Sequence, residues 1–181
     1  MRLFILPAFL LSACTSIVPA TVARLNALSP LEADPAGFAV AMTLPEGVDI
    51  APRSARLMFT VARTDTGEMR DGVFVLERTN ADQAIYRIAP QDLPALRELQ
   101  GIARDWRAED ENATNGSISV TLAPCRIGAG PTEDARASVA IRTDEDGPFL
   151  PLVRNGPLTA LVDPEKLRDM GDCGAVGQGT P

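Results

Sequence analysis

The sequence predicts a mainly-β fold, an antiparallel β-sandwich with one inserted α-helix at about residues 92–110. Three observations carry that expectation. Apolar and polar residues alternate with period two in segment after segment, as half-buried strands require. Residues that tolerate positive φ separate those segments. One stretch alone switches to helical spacing.

The strands follow in order. In Phe38–Leu44 the large apolar residues fall on Phe38, Val40, Met42 and Leu44. In Ala55–Val61, Ala55, Leu57, Phe59 and Val61 face one way and Arg56, Met58 and Thr60 the other. Val73–Glu77 and Ile85–Ile88 are shorter candidates. Ile118, Val120 and Leu122 alternate with Ser117, Ser119 and Thr121, and Ala137, Val139 and Ile141 with Ser138, Ala140 and Arg142. Phe149–Val153 and Leu158–Val162 complete seven or eight strands. Turns are expected at Asp65-Thr66-Gly67, Asn115-Gly116, Asp146-Gly147-Pro148 and Asn155-Gly156.

The helix has Asp92 as N-cap, with Leu93 and Pro94 in its first turn, where proline is tolerated. Leu96, Leu99, Ala103 and Trp106 then share one face, and Arg97, Glu98, Arg104 and Asp105 the other. The expected order is β-β-β-β-α-β-β-β-β. In strand spacing the domain resembles immunoglobulin-like sandwiches, although it lacks their Cys…Trp…Cys signature. Such a likeness of architecture fixes no partner.

The amino terminus reads MRLFILPAFLLSAC. Arg2 supplies a short positive region, and Leu3–Leu11 is almost wholly apolar. That run is shorter than the roughly 20 residues a membrane-spanning helix needs, and fits the core of a signal peptide. Leu11-Ser12-Ala13-Cys14 resembles the lipobox of bacterial lipoproteins. The resemblance covers only these first 14 residues. It implies a diacylglycerol thioether on Cys14, cleavage after Ala13, and a fatty acid such as palmitate on the new amino terminus. Two or more buried acyl chains anchor stably, at about 0.8 kcal/mol per buried CH₂. Thr15, rather than Asp, follows the cysteine. In a Gram-negative host this resembles the outer-membrane sorting default, with the domain facing the periplasm.

Residues 1–13 are therefore expected to be a signal peptide, and 14–36 a lipidated cysteine and tether. Residues 37–170 form the β domain and 171–181 a Gly-rich tail. Cleavage removes one of 17 basic residues and none of the 24 acidic ones, leaving a charge of about −8. An acidic surface disfavours nucleic acid and anionic headgroups, so the anchor is the lipid.

Cys125 and Cys173 remain, an even pair in an oxidising compartment. A disulfide between them closes a loop of about 49 residues. The alternatives are two free thiols or a bond to another chain.

The chain contains no histidine. That excludes Ser-His-Asp and Cys-His nucleophile systems and every His-containing zinc site. No phosphate-binding loop and no GxGxxG motif follows a strand. No cofactor or metal is expected.

Asp65-Thr66-Gly67 resembles the triplet of aspartic proteases, but Arg63-Thr64 before it and Glu68 after it depart from that family. A tight turn is the expected reading. Asp144-Glu145-Asp146-Gly147 echoes the start of a calcium loop, with no acid placed to close it; a charged hairpin tip is expected. Trp106 lies on the helix's apolar stripe and is expected in or near the core. Asn112 and Asn115 head glycosylation tripeptides that carry no weight in a bacterial lipoprotein.

Three functions compete. The expected one is a non-catalytic binding or envelope-assembly module, similar to the accessory subunits and pilotins of envelope machines, with a protein partner and no nucleic acid. The second is a carboxylate-dependent glycan-acting enzyme using Asp105, Glu109, Asp110 or Glu111. The third is a carrier for a small apolar ligand.

Overall fold

A computed structural model describes residues 33–79 and 83–176. The signal peptide, Cys14 and most of the tether lie outside the described residues, as does the end of the Gly-rich tail.

The described chain forms nine strands. They are β1 (Ala39–Thr43), β2 (Val48–Ile50), β3 (Arg56–Arg63), β4 (Met69–Arg78) and β5 (Ala84–Ile88), then β6 (Thr114–Thr121), β7 (Pro124–Arg126), β8 (Arg136–Arg142) and β9 (Leu150–Pro157). Helix α1 (Leu93–Glu109) is inserted between β5 and β6, and two short helices, α2 (Pro164–Arg168) and α3 (Cys173–Val176), follow. The mainly-β antiparallel fold with one inserted helix is the fold expected from the sequence.

Seven strands make one antiparallel sheet in the order β6-β3-β4-β5-β1-β8-β9, and β2 pairs with β7 apart from it. The long strand β4 explains how one sheet becomes two layers. Its first part, Met69–Val75, pairs with β3, whereas Leu76–Arg78 pairs with β5. The strand thus changes partners at Val75–Leu76, a corner of the kind that folds one sheet over onto itself. The core sits between the layers. Leu57, Phe59 and Val61 come from one side and Val40, Tyr86 and Ile88 from the other.

Helix α1 closes one end with Leu96 and Ala103. Leu99 rests over Gly72. A Cβ at Gly72 would lie 2.7 Å from both Leu99 Cδ1 and Phe74 Cζ. A side chain here would have to push aside Leu99 of the helix and Phe74 of the same strand. Asp92 stands at the helix start, but its side chain makes no capping bond. Its Oδ2 instead accepts from the Val75 backbone N–H at the β4 corner, 2.9 Å away.

Other local readings differ for physical reasons. Leu158–Ala160 is a 3-10 turn with Leu158 buried, not the start of a strand, so the alternation from Leu158 to Val162 was misleading. Strand β9 runs on to Pro157, through the turn expected at Asn155-Gly156. Asn155 takes positive φ inside a bulged stretch, where its N–H donates to Ser138 Oγ.

A second, smaller cluster holds Val48, Ala137, Leu158 and Met170. Cys125 and Cys173 are bonded there, with Cα atoms 4.8 Å apart. Beside them the Arg126 N–H donates to the Gly171 carbonyl, and Arg126 pairs with Asp172. Among the described residues, no helix is long and apolar enough to cross a membrane.

Candidate apolar binding site

The curled sheet ends in two edge strands, β6 and β9, which are not bonded to each other. A closed barrel would join them. Between them lies a cleft of about 670 Å³, within the roughly 300–1,000 Å³ span of small-molecule sites.

Its first wall is Ile118, Val120 and Leu122 of β6 with Leu57 and Phe59 of β3. The opposite wall is Val40 of β1, Val139 and Ile141 of β8, and Leu152 and Val153 of β9. Phe38, Ile88 and Leu96 complete the interior. The alternation of β6 and β8 builds these walls directly. Ile118 and Val120 turn inward as Ser117 and Ser119 turn out, and Val139 and Ile141 turn inward opposite them. The lining is chiefly aliphatic. With two phenylalanines and no other aromatic ring, it offers branched methyl surface more than flat stacking partners.

The lining also has polar members. Ala33, Asp34 and Pro35 line the cleft beside exposed Ser117. Gln100, buried on α1, donates through Nε2 to the Ala33 carbonyl at 2.9 Å. Asp34 pairs with Arg97 at 2.9 Å and accepts from the Ala36 N–H. The backbone donor and then the guanidinium hold its carboxyl below the usual aspartate value. The cleft rim is thereby joined to α1 by two side-chain bonds.

The residues singled out by chemistry fall elsewhere. Asp65-Thr66-Gly67 is the turn between β3 and β4, with Gly67 at φ 76° and its N–H donating to the Arg63 carbonyl. Arg63 grips both Asp65 oxygens and also bonds Glu109 at the end of α1. That guanidinium holds the Asp65 carboxyl below its usual value, and the two carboxylates raise the arginine in turn. Glu109, offered by the sequence as an acid/base candidate, is therefore tied into a clamp joining a hairpin tip to a helix end. Asp110 Oδ1 accepts from the Asn112 and Ala113 N–H groups and shapes the turn into β6. Asp105 and Glu111 are exposed. These four carboxylates do not converge on the cleft.

Asp144 organises its own tip. Oδ1 accepts from the Asp146 N–H and its carbonyl from the Gly147 N–H. Among the described residues, no group of three or more acidic or cysteine side chains is placed to hold a metal. Trp106 packs against the core from α1, with Arg70 5.8 Å above its ring.

The sequence offered an apolar-ligand carrier as a third reading but assigned no residue to a cleft. Its walls were legible as strands, but the gap between β6 and β9 depends on how far the sheet curls. Comparison with protein-family models, curated proteins and solved structures finds no match for this chain.

Proposed function

We propose that this chain is a lipid-anchored, non-catalytic binding module whose β domain holds an aliphatic ligand in the cleft between β6 and β9. The observation that carries the reading is the chiefly aliphatic lining of a cavity of about 670 Å³. Left empty to water, such a surface is unfavourable by about 25 cal/mol per Å². A flexible acyl or isoprenoid-like chain matches branched methyl walls, whereas a flat ring system would find few rings to stack on.

The lipobox-like Leu11–Cys14 supports placement at a membrane, on the periplasmic side in a Gram-negative cell. It also supports the geometry of the role. Ala33 lies at the cleft and follows Cys14 by 19 residues, so an anchored Cys14 keeps the cleft within roughly 65 Å of the bilayer. A ligand drawn from that bilayer meets the cleft at high local concentration.

The test uses the chain from Thr15 onward and a fluorescent fatty-acid analogue. Saturable binding is expected, weakened at least tenfold by Ile141→Trp, which fills the cleft. The melting temperature of that variant checks that it still folds. No saturable binding to the wild type, or equal binding to the filled variant, overturns the proposal. Labelling of the full chain with radioactive palmitate, lost in Cys14→Ser, tests the anchor separately.

A further inference from the structure

A second feature lies on the opposite face of the same sheet. Across β5, β1 and β8 the register places Arg87 beside Ala39 and Ala39 beside Arg142. Residues directly opposite in paired strands share a face. Tyr86, Ile88, Val40 and Ile141 point into the core or the cleft, so Arg87, Ala39 and Arg142 point outward. Two strand spacings, roughly 10 Å, separate the backbones of the two arginines. Ala39 between them is fully buried despite its outward direction.

The donors of these arginines are unusual. Nε of Arg87, and both Nε and Nη2 of Arg142, are buried and have no hydrogen-bond partner. Neither arginine forms an ion pair among the described residues. Nε and Nη2 form one edge of the guanidinium, and that edge is the fork that takes an oxyanion through two parallel bonds. The guanidinium carbon of Arg142 lies 5.1 Å from the centre of the Phe149 ring, within cation–π distance. Carboxylates stand near without supplying the bond. Glu77 is opposite Arg87 on β4, and its Oε1 accepts from Gln91. Asp144, close to Arg142 in sequence, accepts from the Asp146 N–H. Buried charged donors left unpaired are strongly unfavourable. In a chain of net charge −7, two arginines on one face that no carboxylate among the described residues pairs make a local cationic patch.

We infer that Arg87 and Arg142 form a binding site for an oxyanion, a phosphate or carboxylate group, on the outer face of the sheet. For Arg142 to take two oxygens on its Nε–Nη2 edge, the groups that now cover that edge turn aside, and Arg87 Nε donates from the other side of Ala39. The anion is either free in solution or the headgroup of an anionic lipid. The site is independent of the cleft, because Ile141 and Arg142 are consecutive and face opposite ways.

The test titrates the chain from Thr15 onward with inorganic phosphate and with acetate, and floats it with vesicles of phosphatidylcholine alone or mixed with phosphatidylglycerol. Arg142→Met and Arg87→Met keep side-chain length and remove the donors, and Arg142→Lys keeps charge without the fork. Saturable binding of phosphate or acetate, weakened at least tenfold by Arg142→Met and less by Arg142→Lys, supports a site for a free anion. Binding only to phosphatidylglycerol vesicles, with the same order of variants, supports a headgroup site. Melting with and without phosphate gives a second readout. The anion should raise the wild-type melting temperature and leave that of Arg142→Met unmoved. No saturable binding to any probe, or equal binding by wild type and both methionine variants, overturns the inference.

Discussion

Removing the disulfide tests the link between the sequence and its compartment. The bond joins residues 48 apart, and β8 and β9 both lie inside the loop it closes. Crosslinking a loop of about 49 residues removes unfolded-state entropy worth about 4 kcal/mol. Among the described tail residues, the Arg126 N–H bond to the Gly171 carbonyl and the Arg126–Asp172 pair would remain. The Arg126–Asp172 pair is solvent-exposed, and such pairs contribute about 1 kcal/mol or less. Cys125 is 1 % exposed, so alanine is the cleaner replacement, since a buried serine hydroxyl would add its own cost. The Cys125→Ala/Cys173→Ala chain should therefore be about 4 kcal/mol less stable in urea, followed by the fluorescence of Trp106, the one tryptophan. Domains of this kind hold about 5–15 kcal/mol in all, so the variant should be marginal. Wild type treated with reductant should fall to a similar midpoint. A loss below about 1 kcal/mol, or two reactive thiols in untreated wild type, would refute the reasoning.

Three further outcomes are expected. Asp92→Ala should cost about 1–3 kcal/mol, because the partly buried Val75 N–H loses its acceptor at the β4 corner; hydrogen exchange at Val75 should quicken with it, and an unchanged rate would show that the bond is idle. Gly72→Ala should destabilise by about 1–3 kcal/mol in chemical denaturation, since the new Cβ meets Leu99 and Phe74; a gain in stability would mean that the helix moves aside freely. Tyr86, the one tyrosine, is held neutral chiefly by burial, and its pKa is raised above 10.0. Its contribution to stability is complete below the unfolded value and is lost as pH rises through the folded one. Phenolate absorbance should therefore appear at higher pH in the native chain than in the chain unfolded by guanidinium, and coincident curves would contradict the burial.

Local chemistry was legible where a residue's role depends on its neighbours in sequence. The α1 stripe from Leu96 to Trp106 lies against the core as its spacing predicts, and Asp65-Thr66-Gly67 is the turn its composition predicts. The inward faces of β3, β6 and β8 follow their alternation. Failures occur where pairing overrides local preference. Val48–Ile50 and Pro124–Arg126 are strands because they meet each other beside the disulfide, and three residues are too few to show a period. The start of β4, from Met69 to Asp71, is exposed and shows no apolar alternation; β3 recruits it as a strand. Asp92 had the right identity for a helix cap, but a strand N–H seventeen residues earlier offered it a better bond.

The two candidate sites were hidden for a related reason. Strand alternation says which residues share a face, but not which strands become neighbours. Ile118 and Ile141 face each other because the sheet curls and stops short of closing, a property of all seven strands together. Arg87 and Arg142 are 55 residues apart, and each taken alone reads as an ordinary outward charge between apolar neighbours. Only the shared partner Ala39 brings them side by side. Exposure separates the functional from the ordinary case. An outward arginine in water satisfies its donors at no cost, whereas Arg142 has an entire edge shielded and unpaired. A fold that keeps such an edge in an acidic chain is under steady pressure to lose it. Replacement by methionine should be neutral or stabilising without ligand, and its cost should appear only when the anion is present.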